Sequence, residues 1–515
     1  MTRPSHTNRP ASRADEFVPR GAERLRRKGR GQYMTPPTLA AELGGYTTSD
    51  LERDGIVVAR GPVLDPTCGD GVFLELARSS GWGDGQVVGT DIDPDVIAGP
   101  QGALVTVQDG LRDVRGGYAM VVGNPPFGRG LPGRDSEELQ SLARDYEAWR
   151  ANREGVAAVA PVALDAKQMA IFGRTHLVPL FIERFLRAVR PRGVLALLLP
   201  ESFFASPRDI STRAWMLRHA RCLSVTSIFG RDFLRTGTRA RTCWSVWQRR
   251  ETPLALASEA VGDPAVLLRQ PRGEEDHELT AAPGSTAFLR TISLARLLEA
   301  KRWDPRYWDP LWEDPLSSCV LPIRPLGEFV DDIVYGALGR GRRPTPATGP
   351  GGWLYVGQKT LTERGVLIGR CPRIEEERPF VQERYTLRPG DLVIPRSGMG
   401  TLGKNLLTRW DGVPDGDDAE GAVVDCFNDR VSLRGISSAW VLAVLRTEQG
   451  WWQIRRVITG VAQPNVSFVQ LRALKIPVPS VAVQKEAERR WRRICQGAEP
   501  FESLRQLVRS ACSGM

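Results

Sequence analysis

The apolar run Met120-Val121-Val122-Gly123 stops abruptly at Asn124-Pro125-Pro126-Phe127, an amide followed by two prolines and an aromatic ring. Such a pattern predicts a buried strand that delivers a rigid loop at its carboxyl end. Open α/β sheets place their chemistry at that edge. The stretch therefore constrains the fold class and the position of a site together, and the rest of the chain can be asked whether it agrees.

Upstream, Val63-Leu64-Asp65-Pro66-Thr67-Cys68-Gly69-Asp70-Gly71-Val72-Phe73-Leu74 has the order strand, glycine-containing turn, helix. Glycines at such a turn let the backbone approach a ligand closely, although a tight βα turn without a ligand has the same appearance. A second strand, Gln86 to Asp93, ends in acid about twenty positions later, where a carboxylate accepts hydrogen bonds from ribose hydroxyls in Rossmann-like sheets. A third, Ala103 to Val107, ends at Gln108-Asp109. Asp109 is either an acceptor for an adenine amino group or a plain turn residue.

Downstream, Val178, Phe181, Ile182, Phe185, Leu186 and Val189 keep helical spacing, and Pro191-Arg192-Gly193 stops the helix. Val194 to Leu199 then forms an all-apolar strand. The alternation predicts an α/β fold, a Rossmann-like, mainly parallel sheet with helices on both faces. Between Leu223 and Trp247 two strands follow without a helix, which predicts an antiparallel hairpin closing the sheet. Phe233 lies near its turn, either exposed for a ligand or part of the core.

A chain of 515 residues exceeds one compact core. The expected divisions are a basic flexible arm over 1–30, the α/β domain over 31–250, a connector over 251–300, a mixed α+β domain over 301–480 and a helical tail over 481–515. The arm either touches phosphates or is a solvated tail. Residues 128–170, rich in Gly, Arg, Asp and Ala, are expected to form a lid or inserted loop.

The formal charge of +10 favours a polyanionic partner. In the second domain Arg340, Arg342, Arg343, Lys359, Arg396 and Lys404 are candidates for nucleic-acid contact, the alternative for each being a solvated basic face. Eight scattered cysteines without a CxxC pair and only four histidines point to neither a zinc site nor a disulfide framework. No apolar run approaches the roughly 18 to 20 residues that span a bilayer, and the amino terminus is polar and arginine-rich, so no membrane and a reducing cytoplasm are expected.

Taken in order, Gly31-Gln32-Tyr33-Met34-Thr35-Pro36-Pro37, Leu64 to Gly71, Asp91-Ile92-Asp93-Pro94, Asp109 and Asn124-Pro125-Pro126-Phe127 resemble the gamma-class amino-methyltransferases of restriction-modification systems, S-adenosylmethionine-dependent enzymes acting on N6 of adenine in DNA. The resemblance covers roughly residues 30 to 250. It implies that Tyr33 and Thr35 hold the methionine carboxylate, that Asp65, Cys68, Gly69 and Gly71 lie beside the methionine moiety, and that Asp91 binds the ribose and Asp109 the adenine of S-adenosylmethionine. It further implies that Asn124 to Phe127 form the catalytic loop, with Phe127 stacking on a base flipped from duplex DNA and Phe233 on its other side.

Residues 387–394 and 460–479, opening with Trp303-Asp304-Pro305-Arg306-Tyr307, resemble the target-recognition domains of type I specificity subunits and of single-chain TaqI-like enzymes. Competing expectations are a methyltransferase acting on RNA or a protein glutamine, and a DNA-binding specificity module with an inactive core. The arm before Gly31 is too short for a nuclease domain, so any restriction or phage-defence role is expected to involve a separate protein.

Overall fold

A computed structural model describes residues 34–57, 61–82, 84–111, 116–127, 177–228, 241–271, 287–336, 344–375, 384–396, 406–458 and 465–513. They fall into two compact units, one reaching Pro271 and including Ala287–Pro305, the other running from Arg306. Tyr33, Phe233, Arg340, Arg342, Arg343, Lys404, the arm and the expected lid lie outside the described residues.

In the first unit one sheet contains β1 (Val63–Asp65), β2 (Val87–Asp91), β3 (Leu104–Val107), β4 (Tyr118–Gly123), β5 (Val189–Pro200), β6 (Ala220–Ile228), β7 (Thr242–Arg249), β8 (Val266–Gln270) and β9 (Phe288–Ile292). Their order is β3-β2-β1-β4-β5-β7-β6-β8-β9. The strands from β3 through β5 are parallel, while β7 runs antiparallel between β5 and β6.

Every residue from Val194 to Leu199 is fully buried, so both faces of β5 are covered. On one face α1 (Pro37–Arg53) and α2 (Val72–Ser79) supply Leu39, Leu43, Phe73 and Leu74 to a cluster with Met120, Val122, Ala196 and Trp244. Pro37 stands in the first turn of α1, where a missing N–H costs no hydrogen bond. On the other face α3 (Val178–Ala188) buries Phe181, Ile182, Phe185 and Leu186. The expected Rossmann-like class, with helices on both faces, is the observed one.

Two details differ from expectation. The hairpin does not close the sheet, because β6 goes on to pair with β8 and β8 with β9. Residues 251–300, expected as a connector with one short helix over Ala287 to Ala300, hold that helix over Leu294–Ala300 and also add these two strands to the first unit. The Arg269 guanidinium of β8 pairs with the buried Asp50 of α1 at 2.6 Å, fastening the added strand to the core. Trp303 belongs here too, buried and stacked on Trp247 at 6.1 Å between centroids.

The second unit is mixed α+β. Val330–Tyr335, Asn428–Leu433, Leu392–Pro395 and Thr408–Arg409 form an antiparallel sheet in that order. A second sheet joins Thr345–Pro346, Arg373–Glu375, Trp353–Val356 and Gly421–Val424. Helix Ser438–Leu445 is buried on every side, as its continuous apolar sequence requires. The expected helical tail packs back on this unit, supplying Ala487, Trp491, Ile494, Leu504 and Val508 to its core. No helix among the described residues is long and apolar enough to cross a membrane.

Candidate active site

The carboxyl ends of β1, β2, β3 and β4 meet at one edge of the first sheet, and backbone contacts hold them together. Cys68 N–H donates to the Thr90 carbonyl at 2.9 Å, and the Thr90 hydroxyl donates to the Pro66 carbonyl at 3.1 Å. Asp91 accepts from Gly69 N–H at 3.0 Å and, through its other oxygen, from Asp93 N–H at 2.9 Å. The β2 carboxylate thus fastens the glycine turn of β1.

Gly71 sits at φ +78°, and a Cβ there would stand 2.5 Å from the Ala98 carbonyl oxygen. A Cβ on Gly110 would overlap the Pro66 carbonyl oxygen, so the loop after β3 packs backbone to backbone on the loop after β1. Beside it Asp109 accepts from Leu111 N–H at 3.0 Å, a turn-forming bond.

At the end of β4, Gly123 is required for a different reason. A Cβ there would stand 2.9 Å from Asp65 Oδ1 and 3.3 Å from the Phe185 ring. Asp65 is buried, and Oδ1 accepts from the N–H and hydroxyl of Thr67, at 2.9 and 3.3 Å. Its Oδ2 is buried without a hydrogen-bond partner. Burial, with the charge of Asp91 adding to it, pushes the carboxyl up to about 8 against the pull of Thr67. The Asp91 carboxyl is also raised, by burial, against the pull of the Asp93 and Gly69 N–H groups.

Asn124 follows directly, and its Nδ2 donates to the hydroxyl of Thr35 at 3.2 Å. Thr35 is buried just before α1. The chain's first described segment is thereby joined to the Asn-Pro-Pro-Phe loop, 89 residues away. Pro125 is buried, while Asn124, Pro126 and Phe127 are half-buried. Cys68 is buried in the turn, its thiol pushed up by burial and by the Asp65 and Asp91 charges, which disfavours the nucleophilic thiolate.

The structure thus brings together Thr35, Asp65, Cys68, Gly69, Gly71, Asp91, Asp109, Asn124, Pro125, Pro126 and Phe127. Sequence reasoning overlooked Thr67, the partner of Asp65, and Gly110, the point of backbone approach. Both stand one or two positions from an acid already singled out, the available signal. In the second unit Lys359 is exposed on the turn Gln358–Thr360, and Arg396 is half-buried at the end of Leu392–Pro395. Among the described residues no group of three or more His, Cys, Asp or Glu could hold a metal ion.

No protein-family model matches the chain. Over 193 residues it is 26% identical to the Type II methyltransferase M.TthHB8I of Thermus thermophilus, covering 37% of this chain and 39% of that protein. The chain is similar to Type II methyltransferases. A second such relative, M.MamI of Microbacterium ammoniaphilum, is 31% identical over 129 residues, covering 20% of this chain and 36% of the relative. The chain therefore spans less than two-fifths of the length of either relative. Among solved structures, the type IIG restriction endonuclease BpuSI aligns at a TM-score of 0.45 and 12% identity, covering 95% of this chain and 66% of that one.

Proposed function

We propose that this chain transfers the methyl group of S-adenosylmethionine to the N6 amino group of an adenine turned out of duplex DNA, in a restriction-modification or phage-defence system. The observation that carries the reading is the Thr35–Asn124 hydrogen bond, which sets the Asn-Pro-Pro-Phe loop beside the glycine turn and the acids of β1, β2 and β3.

The residues present fit S-adenosylmethionine. An orphaned, buried carboxylate oxygen on Asp65 lacks only a cationic or hydrogen-bonding partner, which the methionine moiety offers. Asp91 is the acceptor for the ribose hydroxyls and Asp109 for the adenine amino group, while Gly69 and Gly71 permit close approach. Tyr33 and Thr35 hold the methionine carboxylate, and Cys68 packs beside the methionine. When bound, the cofactor supplies an electrophilic methyl carbon.

The amino nitrogen of adenine is a poor nucleophile because its lone pair is delocalised into the ring. With Nδ2 of Asn124 donating to Thr35, the oxygen Oδ1 is the acceptor this amide offers an amino proton. Pro125 has no N–H but keeps its carbonyl, which accepts a hydrogen bond from the second amino N–H. Two acceptors outside the ring plane favour a pyramidal nitrogen with an available lone pair. Positioning and electrostatics then suffice, without a covalent enzyme intermediate.

Unstacking the target costs a few kcal/mol, and stacking on Phe127, with Phe233 opposite, offsets part of it. The net charge of +10 and the basic residues of the second unit, Arg340, Arg342, Arg343, Lys359, Arg396 and Lys404, support duplex DNA as the partner. A separate restriction or defence protein is a proposed partner.

Transfer of labelled methyl groups to duplex DNA, RNA and protein, together with methylome sequencing of an expressing host, tests the reading. Label in N6-methyladenine of DNA at one sequence motif is expected. Label in RNA or in protein glutamine, with none in DNA, overturns it.

A further inference from the structure

In the second unit, Tyr335 stands directly opposite Asp429, and Asp429 directly opposite Ile394. Directly opposed residues share a sheet face, and Arg396 lies two positions beyond Ile394, so Tyr335, Asp429 and Arg396 belong to one face at one end of the sheet. Toward the middle that face is apolar, with Leu392, Ile394 and Val431 in the core. At its end the chemistry changes.

The Arg396 guanidinium lies over the Tyr335 ring at 5.0 Å and the Phe468 ring at 5.9 Å. Other buried or part-buried guanidiniums of the unit hold carboxylates: Arg430 that of Asp332, Arg446 that of Glu363, Arg373 that of Asp417 and Arg409 that of Glu488. Within the described residues no acceptor takes a hydrogen bond from Arg396 and no carboxylate pairs with it. No Arg396 nitrogen is among the buried unpartnered atoms, so its five donors reach solvent and stand available to a ligand.

Asp429, fully buried, has no hydrogen-bond partner on either oxygen. Burial pushes its carboxyl up to about 7, and the positive charge of Arg396 works against that shift. The acid therefore lies close enough to feel the guanidinium charge without consuming its donors. Around them Tyr335 and Phe427 are 49% and 47% exposed, a large aromatic surface at this sheet end. The Arg396 N–H donates to the Phe427 carbonyl at 2.8 Å, fixing the backbone at that point.

We infer that Arg396 is a base-reading residue that donates two hydrogen bonds to the major-groove edge of a guanine, with Tyr335 and Phe468 setting the plane of its guanidinium and the buried Asp429 on the same sheet face as a nearby acid. The inference rests on the proposed action on DNA. A planar fork held by rings suits the paired acceptors O6 and N7 of guanine. Phosphate contact asks only for charge, which an exposed side chain such as Lys359 supplies without a fixed plane.

The test is selection of bound duplexes from a random-sequence pool by the full-length protein with S-adenosylmethionine present, followed by sequencing. The parent should enrich a motif containing at least one G·C pair. Arg396→Lys and Arg396→Ala should lose discrimination at one G·C position by roughly 5-fold to 150-fold and keep the other positions. Tyr335→Leu and Asp429→Asn should weaken discrimination at that same position by less, an effect confined to one base that a general packing defect would not produce. Lys359→Ala should lower binding evenly across sequences.

Melting curves and cofactor binding establish that each variant is folded, and the Lys and Leu variants carry the test if the Ala variant is not. Even weakening of all sequences by Arg396→Lys, an unchanged motif, or no motif in the parent overturns the inference. A parent that selects a motif yet methylates no DNA overturns the proposed reaction and leaves the assignment of Arg396 standing. DNA methylation at a motif indifferent to Arg396 does the reverse.

Discussion

The site edge of the first sheet and the Tyr335 end of the second unit's sheet both hold a carboxylate away from water, by opposite means. At the first edge the hydrogen bonds the acids accept come largely from nearby backbone, Asp65 from Thr67 on one oxygen only, Asp109 from Leu111, and Asp91 from Asp93 and Gly69. At the second, Asp429 takes no hydrogen bond, and its setting is made by side chains from separate strands and a helix. An edge built from backbone turns is rigid before a ligand arrives. An edge built from side chains is open to changing what it recognises while its fold stays the same, and on the proposed function this separates the chemistry of the reaction from the choice of where it happens.

The largest test of this division is Asn124→Ala. Its side chain is half-buried at the end of a strand and not part of the apolar core, so the fold and cofactor binding should survive. Methyl transfer should fall by on the order of 100-fold to 1000-fold, the scale expected when one preorganised polar group at a reacting centre is lost. Near-normal single-turnover rates would remove the loop from the chemistry. Phe127→Ala should act next, lowering capture of the target base by roughly 5-fold to 150-fold, the stacking worth of one base, with melting unchanged. Equal rates for the two proteins would dismiss the stacking role.

Gly110→Ala probes the backbone side of the comparison. The added methyl overlaps the Pro66 carbonyl, and backbone on both sides yields poorly. We expect a loss of about 1–3 kcal/mol in stability, together with weaker cofactor binding, measured by melting and by titration. A neutral outcome would show the two loops to be less firmly joined than their contacts indicate.

The same contrast explains how much was legible in the sequence. The turn Asp65 to Gly71, Asp91 and the loop Asn124 to Phe127 are each short local stretches, so periodicity and spacing placed them at strand ends, while their proposed roles come from the resemblance. The strands β8 and β9 were missed because Val266-Leu267-Leu268 is a short apolar run whose role depends on Arg269 finding Asp50, 219 residues away. The hairpin was recognised, but its place inside the sheet is a matter of pairing, which alternation does not encode. Arg396 was visible only as one basic residue among several. What distinguishes it is its neighbours Tyr335, Phe468 and Asp429, brought near by tertiary structure alone.

The smallest expected effect addresses the two buried carboxyls directly. Both are raised, Asp65 to about 8 and Asp429 to about 7, from an ordinary value near 3.8. Folding therefore takes up protons between about pH 4 and those values, and stability from these groups is lost as pH rises through that window. Asparagine at 429 binds no proton, so the melting difference between Asp429→Asn and the parent isolates this one group while all other titrations cancel. The variant should gain on the parent from pH 5 to pH 7 by a few degrees, then hold a constant difference above pH 7. Adding Arg396→Ala removes the opposing positive charge and should move the upper limit of the window to higher pH. A difference independent of pH would mean that Asp429 keeps its charge on folding, and the second edge would then be as well solvated or as well paired as the first.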